Sequence, residues 1–217
     1  MDRIGIFARH PVAGRVKTRL SPALPAGMAA RLYAAMLEDT LAAARASGLD
    51  RQVWWADDGE ARGEAGLAER RQEGADLGER MTAAMNAMLV SPIDRAVIVG
   101  SDCPALAAEH LAAAFAAMDG ADVVLGPAED GGYWLVGMRR RTAVAIVRNI
   151  HWSSPSALAD TLSQAKRAGL PVRTLPTLPD VDTPADLAGL VAALAGGRRE
   201  SCGPATLSAL RETGLVP

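Results

Sequence analysis

Arg95-Ala96-Val97-Ile98-Val99-Gly100-Ser101-Asp102-Cys103-Pro104 is the stretch on which the fold turns. From Arg95 to Gly100 it is a short β-branched run without polar alternation, the pattern of a strand covered on both faces in a parallel sheet. The run passes straight into Ser101 and Asp102, and Pro104 stops the ladder because it has no N–H to donate. A carboxylate is thereby expected at a strand's carboxyl end, where open α/β sheets bind their ligands.

Upstream, Arg3–Ala8 is an apolar strand candidate followed by a Pro- and Gly-rich loop reaching to about Pro25. A helix of about 20 residues follows, with Met28, Leu32, Ala35, Met36 and Ala42 on its apolar side and a stop at Ser47-Gly48. Gln52–Ala56 reads as a second strand, Asp57–Arg71 as an exposed, partly helical excursion, and Leu77–Leu89 as a helix. Downstream come a helix over Ala107–Met118, a buried strand over Asp122–Leu125 and a further strand within Gly131–Met138. A helix near Pro155 to Ala168 then leads to a short strand at Pro171–Leu175, and one more helix opens at Asp180-Val181-Asp182-Thr183-Pro184. Strands alternating with helices predict an α/β fold, a Rossmann-like, mostly parallel sheet with helices on both faces. With no repeat and no linker, residues 1–217 are expected to form one domain, with about 197–217 a C-terminal tail or loosely attached helix.

The composition sets outer bounds. With 217 residues, 49% hydrophobic and a net charge of −2, the chain is neither disordered nor generally attracted to nucleic acid. No run of ~18 apolar residues exists to span a bilayer, and Met1-Asp2-Arg3-Ile4-Gly5-Ile6 lacks a signal-peptide layout, so a soluble cytoplasmic protein is expected. Cys103 and Cys202 are expected to be reduced, and the oligomeric state is left open. The cations include only two lysines, Lys17 and Lys166.

Four polar clusters interrupt this scheme, and several fall where strands end. After the first strand, Gly14, Arg15, Lys17 and Arg19 concentrate three cations in five residues without a Walker pattern. Such crowding is relieved either by a diphosphate or triphosphate or, more plainly, by solvent. After the central strand, Asp102 either holds Mg²⁺ or Mn²⁺ on a phosphate or caps the following helix. In the third cluster, Asp130-Gly131-Gly132 is a hairpin signal, but Glu129 and Asp130 together also suit sugar hydroxyls or another acceptor, one of them as general base. In the fourth, Thr183-Pro184 and Asp186 make an ordinary helix start, which leaves Asp182, or Asp180, as a second metal carboxylate opposite Asp102. Weaker signals place Gly78 and Arg80 near a helix N-terminus that suits an anion, and His151-Trp152-Ser153 beside an acceptor pocket with Gly131, Gly132 and Tyr133.

Taken in order, A-R-H-P-V-A-G-R-V-K-T-R-L, Q-E-G-A-D-L-G-E-R-M, G-S-D-C-P, G-P-A-E-D-G-G-Y-W-L-V-G, H-W-S-S and D-V-D-T-P-A-D-L resemble the DUF2064 family. That resemblance implies a glycosyltransferase-like protein of nucleotide-diphospho-sugar transferase (GT-A) fold, with nucleotide beside the first strand and Asp102 at the GT-A metal position. It departs from many GT-A glycosyltransferases in having the single acid of Ser101-Asp102-Cys103 where they carry Asp-X-Asp. Its K-T-R-L loop is similar to that of phospholactate guanylyltransferases. The expectation is a Mg²⁺- or Mn²⁺-dependent transferase acting on a nucleotide sugar and a small acceptor. A nucleotidyltransferase releasing pyrophosphate is the alternative, and a noncatalytic nucleotide-binding module a more distant third.

Overall fold

The computed structural model describes residues 1–152 and 154–217, so Ser153 lies outside the described residues. Seven strands, β1 (Asp2–Ala8), β2 (Asp50–Trp55), β3 (Leu67–Arg71), β4 (Arg95–Val99), β5 (Val123–Pro127), β6 (Tyr133–Met138) and β7 (Val172–Thr174), form one sheet. Their spatial order is β3-β2-β1-β4-β6-β5-β7. β6 runs antiparallel to β4 and β5, and the other pairings are parallel. The helices are α1 (Ala26–Ala46), α2 (Leu77–Met88), α3 (Ala108–Ala117), α4 (Ala157–Arg167), α5 (Pro184–Ala195) and α6 (Pro204–Glu212).

The central strand behaves as its sequence demands. Val97 and Val99 face a core shared with Leu37 and Leu41 of α1 and Leu111 and Phe115 of α3. Ala96 and Ile98 face the opposite core, with Met81 and Met85 of α2 and the 3-10 segment Arg141–Val147. Neither face can therefore tolerate polar alternation. From β1 the chain winds outward through β2 and β3, then returns to β4 on the other side of β1. That reversal opens a crevice at the carboxyl ends of β1 and β4.

Two expectations are corrected. The stretch Asp57–Arg71 ends in an edge strand, β3, rather than a helical excursion, with Arg51–Trp55 paired to Leu67–Arg71. Its Leu-Ala-Glu-Arg-Arg sequence carries charges that an edge strand accepts, and of its residues only Leu67 is buried. Pairing supplies what periodicity lacks: Trp55 Nε1 donates to Glu69 at 2.8 Å and the Gln72 N–H to the Trp55 carbonyl at 2.8 Å.

The C-terminal segment is likewise docked rather than loose. Asp39 of α1, buried at 6% exposure, accepts the first-turn N–H groups of Ala205 (3.0 Å) and Thr206 (2.8 Å), and Leu210 and Val216 are buried against α1 and α5. Both cysteines are free and buried. No described helix is long and apolar enough to cross a membrane.

Asp39→Ala leaves two N–H groups of α6 without their acceptor. It is expected to cost about 1–3 kcal/mol in urea unfolding, with Asp39→Asn losing less because it keeps an acceptor oxygen. A loss below the error of the measurement would mean that α6 is held by apolar packing alone.

Candidate functional site

A cleft of about 710 Å³ opens at the carboxyl ends of β1 to β4 and is closed on its far side by the start of β6. Lys17 is part of its lining. Val16 and Leu20 on either side are buried in the α1, α5 and α6 core, which pins the loop after β1 and turns Lys17 inward with its backbone at φ 48°, ψ 38°. A left-handed lysine is costly and persists only where its surroundings enforce it.

The Lys17 ammonium lies 2.5 Å from Asp102 Oδ1 and 2.5 Å from Asp182 Oδ1. The lysine side chain is 4% exposed, whereas the carboxylates are 43% and 36% exposed, so the cation is roofed by its partners. Burial by itself would lower the Lys17 pKa, but the two carboxylates outweigh it and raise the pKa above the ordinary lysine value. The ammonium also stands 6.0 Å from the centre of the Tyr33 ring. Tyr33 braces the site from below. Its hydroxyl accepts the Arg9 N–H at 2.8 Å and shares a 2.9 Å hydrogen bond with Ser101 Oγ, so β1, α1 and the β4 end are clamped together.

Asp102 does not cap α3, whose N-cap is Ala107. Its carbonyl accepts the Val181 N–H at 3.0 Å, which brings Asp182 alongside. Capping of α5 falls to Thr183 and Asp186, the latter accepting the Asp182 and Thr183 N–H groups at 3.0 and 2.6 Å. The Asp182 carboxylate is thus left for Lys17.

Other predicted residues divide between the cleft and its surroundings. Arg15 and Arg19 line the cleft, exposed and without an ion pair among the described residues, and Arg80 lines it with Nε donating to the Gly74 carbonyl at 3.1 Å. Asp130 also lines it, its Oδ1 accepting the Gly132 N–H at 2.8 Å, whereas Glu129 is exposed outside it. Tyr133 and Trp152 meet edge to face, centroids 5.8 Å apart, and wall the cleft beside Gly132.

The glycines serve contacts that sequence spacing could not reveal. A Cβ on Gly78 would stand 2.4 Å from the Val147 carbonyl oxygen and 2.9 Å from Trp152 Nε1, so this glycine admits packing rather than an anion. Gly131, at φ 88°, abuts the Pro155 carbonyl in the same manner. Gly14 is exposed, and neither it nor the exposed His151, 3.4 Å from Asp160, lines the cleft. Conversely, Tyr33 lines the cleft although no motif contains it, and Arg9, Gln72 and Ser101 line it from within motifs that did not single them out.

Whether the pair Asp102 and Asp182 suits a divalent cation can be judged from the ammonium that stands between them. Two hard oxygen donors converge on one cation position, and one or two carboxylates completed by phosphate and water oxygens are what Mg²⁺ requires. The pair therefore fits Mg²⁺ or Mn²⁺ with nucleotide present. Among the described residues no larger group of His, Cys, Asp or Glu is arranged for a metal.

Residues 37–154 match the profile of a family described as an uncharacterized protein conserved in bacteria, DUF2064. A solved structure from Desulfovibrio desulfuricans G20, provisionally assigned as a nucleotide-diphospho-sugar transferase, is 30% identical with a TM-score of 0.88, over 99% of this chain and 96% of that one. Rv0371c from Mycobacterium tuberculosis H37Rv shares the fold at 20% identity and a TM-score of 0.55, over 87% of this chain and 96% of its own; it is also known in complex with manganese. The inositol-1-phosphate CTP transferase of T. maritima shares it at 13% identity and a TM-score of 0.53, over 93% and 97% of the two chains. No curated protein sequence is significantly similar.

Burial, and then the neighbouring Asp130 carboxylate, push the Asp180 pKa up to about 6. A carboxyl whose folded pKa exceeds its unfolded value of about 3.9 binds more protons folded than unfolded, so it destabilises the fold as pH rises from about 4 through 6. In metal-free protein, Asp180→Asn is expected to melt higher than wild type at pH 7 to 8, with the difference closing toward pH 4. A gap that is constant with pH would rule out this origin.

Proposed function

The chain belongs to the DUF2064 family and has the nucleotide-diphospho-sugar transferase fold, and on that premise we propose a metal-dependent transferase acting on a nucleotide-activated sugar. The observation that carries this reading is the convergence of Asp102 and Asp182 on one cation position at the end of β4, with the exposed Arg15 and Arg19 lining the same cleft.

Asp102 and Asp182 would hold Mg²⁺ or Mn²⁺, which when bound offsets the charge that builds on the departing nucleoside diphosphate. Arg15 and Arg19 are exposed guanidinium forks suited to gripping the diphosphate oxygens in pairs. Asp130, its carboxylate steadied by the Gly132 N–H, faces the acceptor and takes the proton of the attacking hydroxyl. Gly132, Tyr133 and Trp152 wall the acceptor side. Glu129, exposed outside the cleft, has no part in this scheme.

Nucleotidyl transfer is the second reading, favoured by one feature. Arg9, Arg15, Arg19 and Arg80 all line the cleft, a cationic density better matched to a triphosphate than to a diphosphate.

Calorimetry with a panel of nucleotide sugars and Mn²⁺ should detect binding to the wild type, weakened about tenfold by Arg19→Ala, in keeping with one lost charge-assisted contact. Asp102→Asn should retain the fold by circular dichroism and lose the Mn²⁺ dependence of that binding. Absence of binding to every nucleotide sugar would sink the first reading. Pyrophosphate release from any of the four nucleoside triphosphates with pooled phosphorylated acceptors would replace it with the second.

A further inference from the structure

We infer that Lys17 and a divalent cation compete for the same two carboxylates, so that the phosphates of the nucleotide, by drawing Lys17 away, make the Asp102–Asp182 pair available to the metal. The inference rests on the metal-dependent reading above and adds an order to it: metal binds poorly until the anion arrives.

Three observations carry it. Both carboxylates direct an oxygen to 2.5 Å from one ammonium, so their shared coordination position is taken by a protein cation. A second, doubly charged cation on those oxygens would meet the Lys17 charge at close range in a half-buried site, where such repulsion is poorly screened. Lys17 also has somewhere to go. It lines the same cleft as Arg15, Thr18 and Arg19, which are exposed around it, and an ammonium on a flexible four-carbon stem can follow a phosphate as a guanidinium fork cannot. Without an anion, Lys17 would leave two carboxylates for no partner, so it stays; with one, the exchange of partners is balanced in charge. Because such coupling is reciprocal, nucleotide and metal should each strengthen the binding of the other.

A different role for Lys17, as a permanent buttress beneath the carboxylates, predicts the opposite behaviour on its removal. The two are separated by measuring Mn²⁺ binding to nucleotide-free protein, by electron paramagnetic resonance, for wild type, Lys17→Ala and Lys17→Met, each checked for folding by thermal melting. Competition predicts that both variants bind Mn²⁺ about tenfold or more tightly than wild type, the usual scale of site coupling. Unchanged or weaker binding in folded variants overturns the inference in favour of the buttress. Should neither variant fold, wild-type protein with ¹⁵N-labelled lysine decides. The Lys17 ammonium signal should move when Mg²⁺ and inorganic pyrophosphate are added together and hold with Mg²⁺ alone; movement with Mg²⁺ alone, or with neither, overturns the inference. If wild type fails to bind Mn²⁺ even with nucleotides present, the metal-dependent reading itself fails; if it binds then but the variants gain nothing, only the competition fails.

Discussion

The ammonium of Lys17, buried beneath two half-exposed carboxylates, joins three segments that are remote in sequence: the loop after β1, the end of β4 and the turn into α5. Burying a charge is unfavourable unless its partners compensate, and here two carboxylates share one cation. Removing either acid would leave the buried ammonium with one carboxylate in place of two. The left-handed backbone at Lys17 and the Tyr33 clamp on Arg9 and Ser101 are further constraints that this arrangement satisfies together. The cleft has its shape because these three loops meet at this one cation.

The sheet explains why those loops meet. Parallel strands deliver their carboxyl ends to one edge, and the winding reverses between β1 and β4, so the loop carrying Lys17 and the loop carrying Asp102 leave the sheet side by side. Asp182 arrives differently. A backbone hydrogen bond from Val181 to the Asp102 carbonyl sets its approach, and the Thr183–Asp186 cap frees its side chain. Helices bury both faces of the sheet, and the docked α6 completes the core beneath the Lys17 loop.

Much of this fold was legible where local pattern and tertiary role coincide. Ala96–Val99 is apolar on both sides because both sides are buried, and Ser101-Asp102 was readable as a strand end because Pro104 follows. β3 was illegible because an edge strand carries little of the burial signal that periodicity detects; its identity lies in its pairing with β2. The same reasoning applies to α6, whose attachment depends on Asp39, a mid-helix carboxylate far away in the chain. Within the site, Lys17 read from its neighbours Arg15 and Arg19 is one of three repelling cations awaiting an anion. Its acidic partners, supplied only by the fold, reverse that reading, while Arg15 and Arg19 form no ion pair among the described residues. Gly78 and Gly131 were visible as glycines, but the Val147 and Pro155 carbonyls that require them were not.

Because the chain has two lysines, Lys17 and the exposed Lys166, side-chain signals of lysine-labelled protein are few enough to assign without ambiguity. The direct measurement of the central claim is an NMR titration of the Lys17 side chain in metal-free, nucleotide-free protein. The carboxylate pair predicts that Lys17 stays protonated well beyond the ordinary lysine value of about 10.4 and that Asp102→Asn brings its titration down. Titration of wild-type Lys17 at or below that ordinary value would contradict the arrangement on which this account rests.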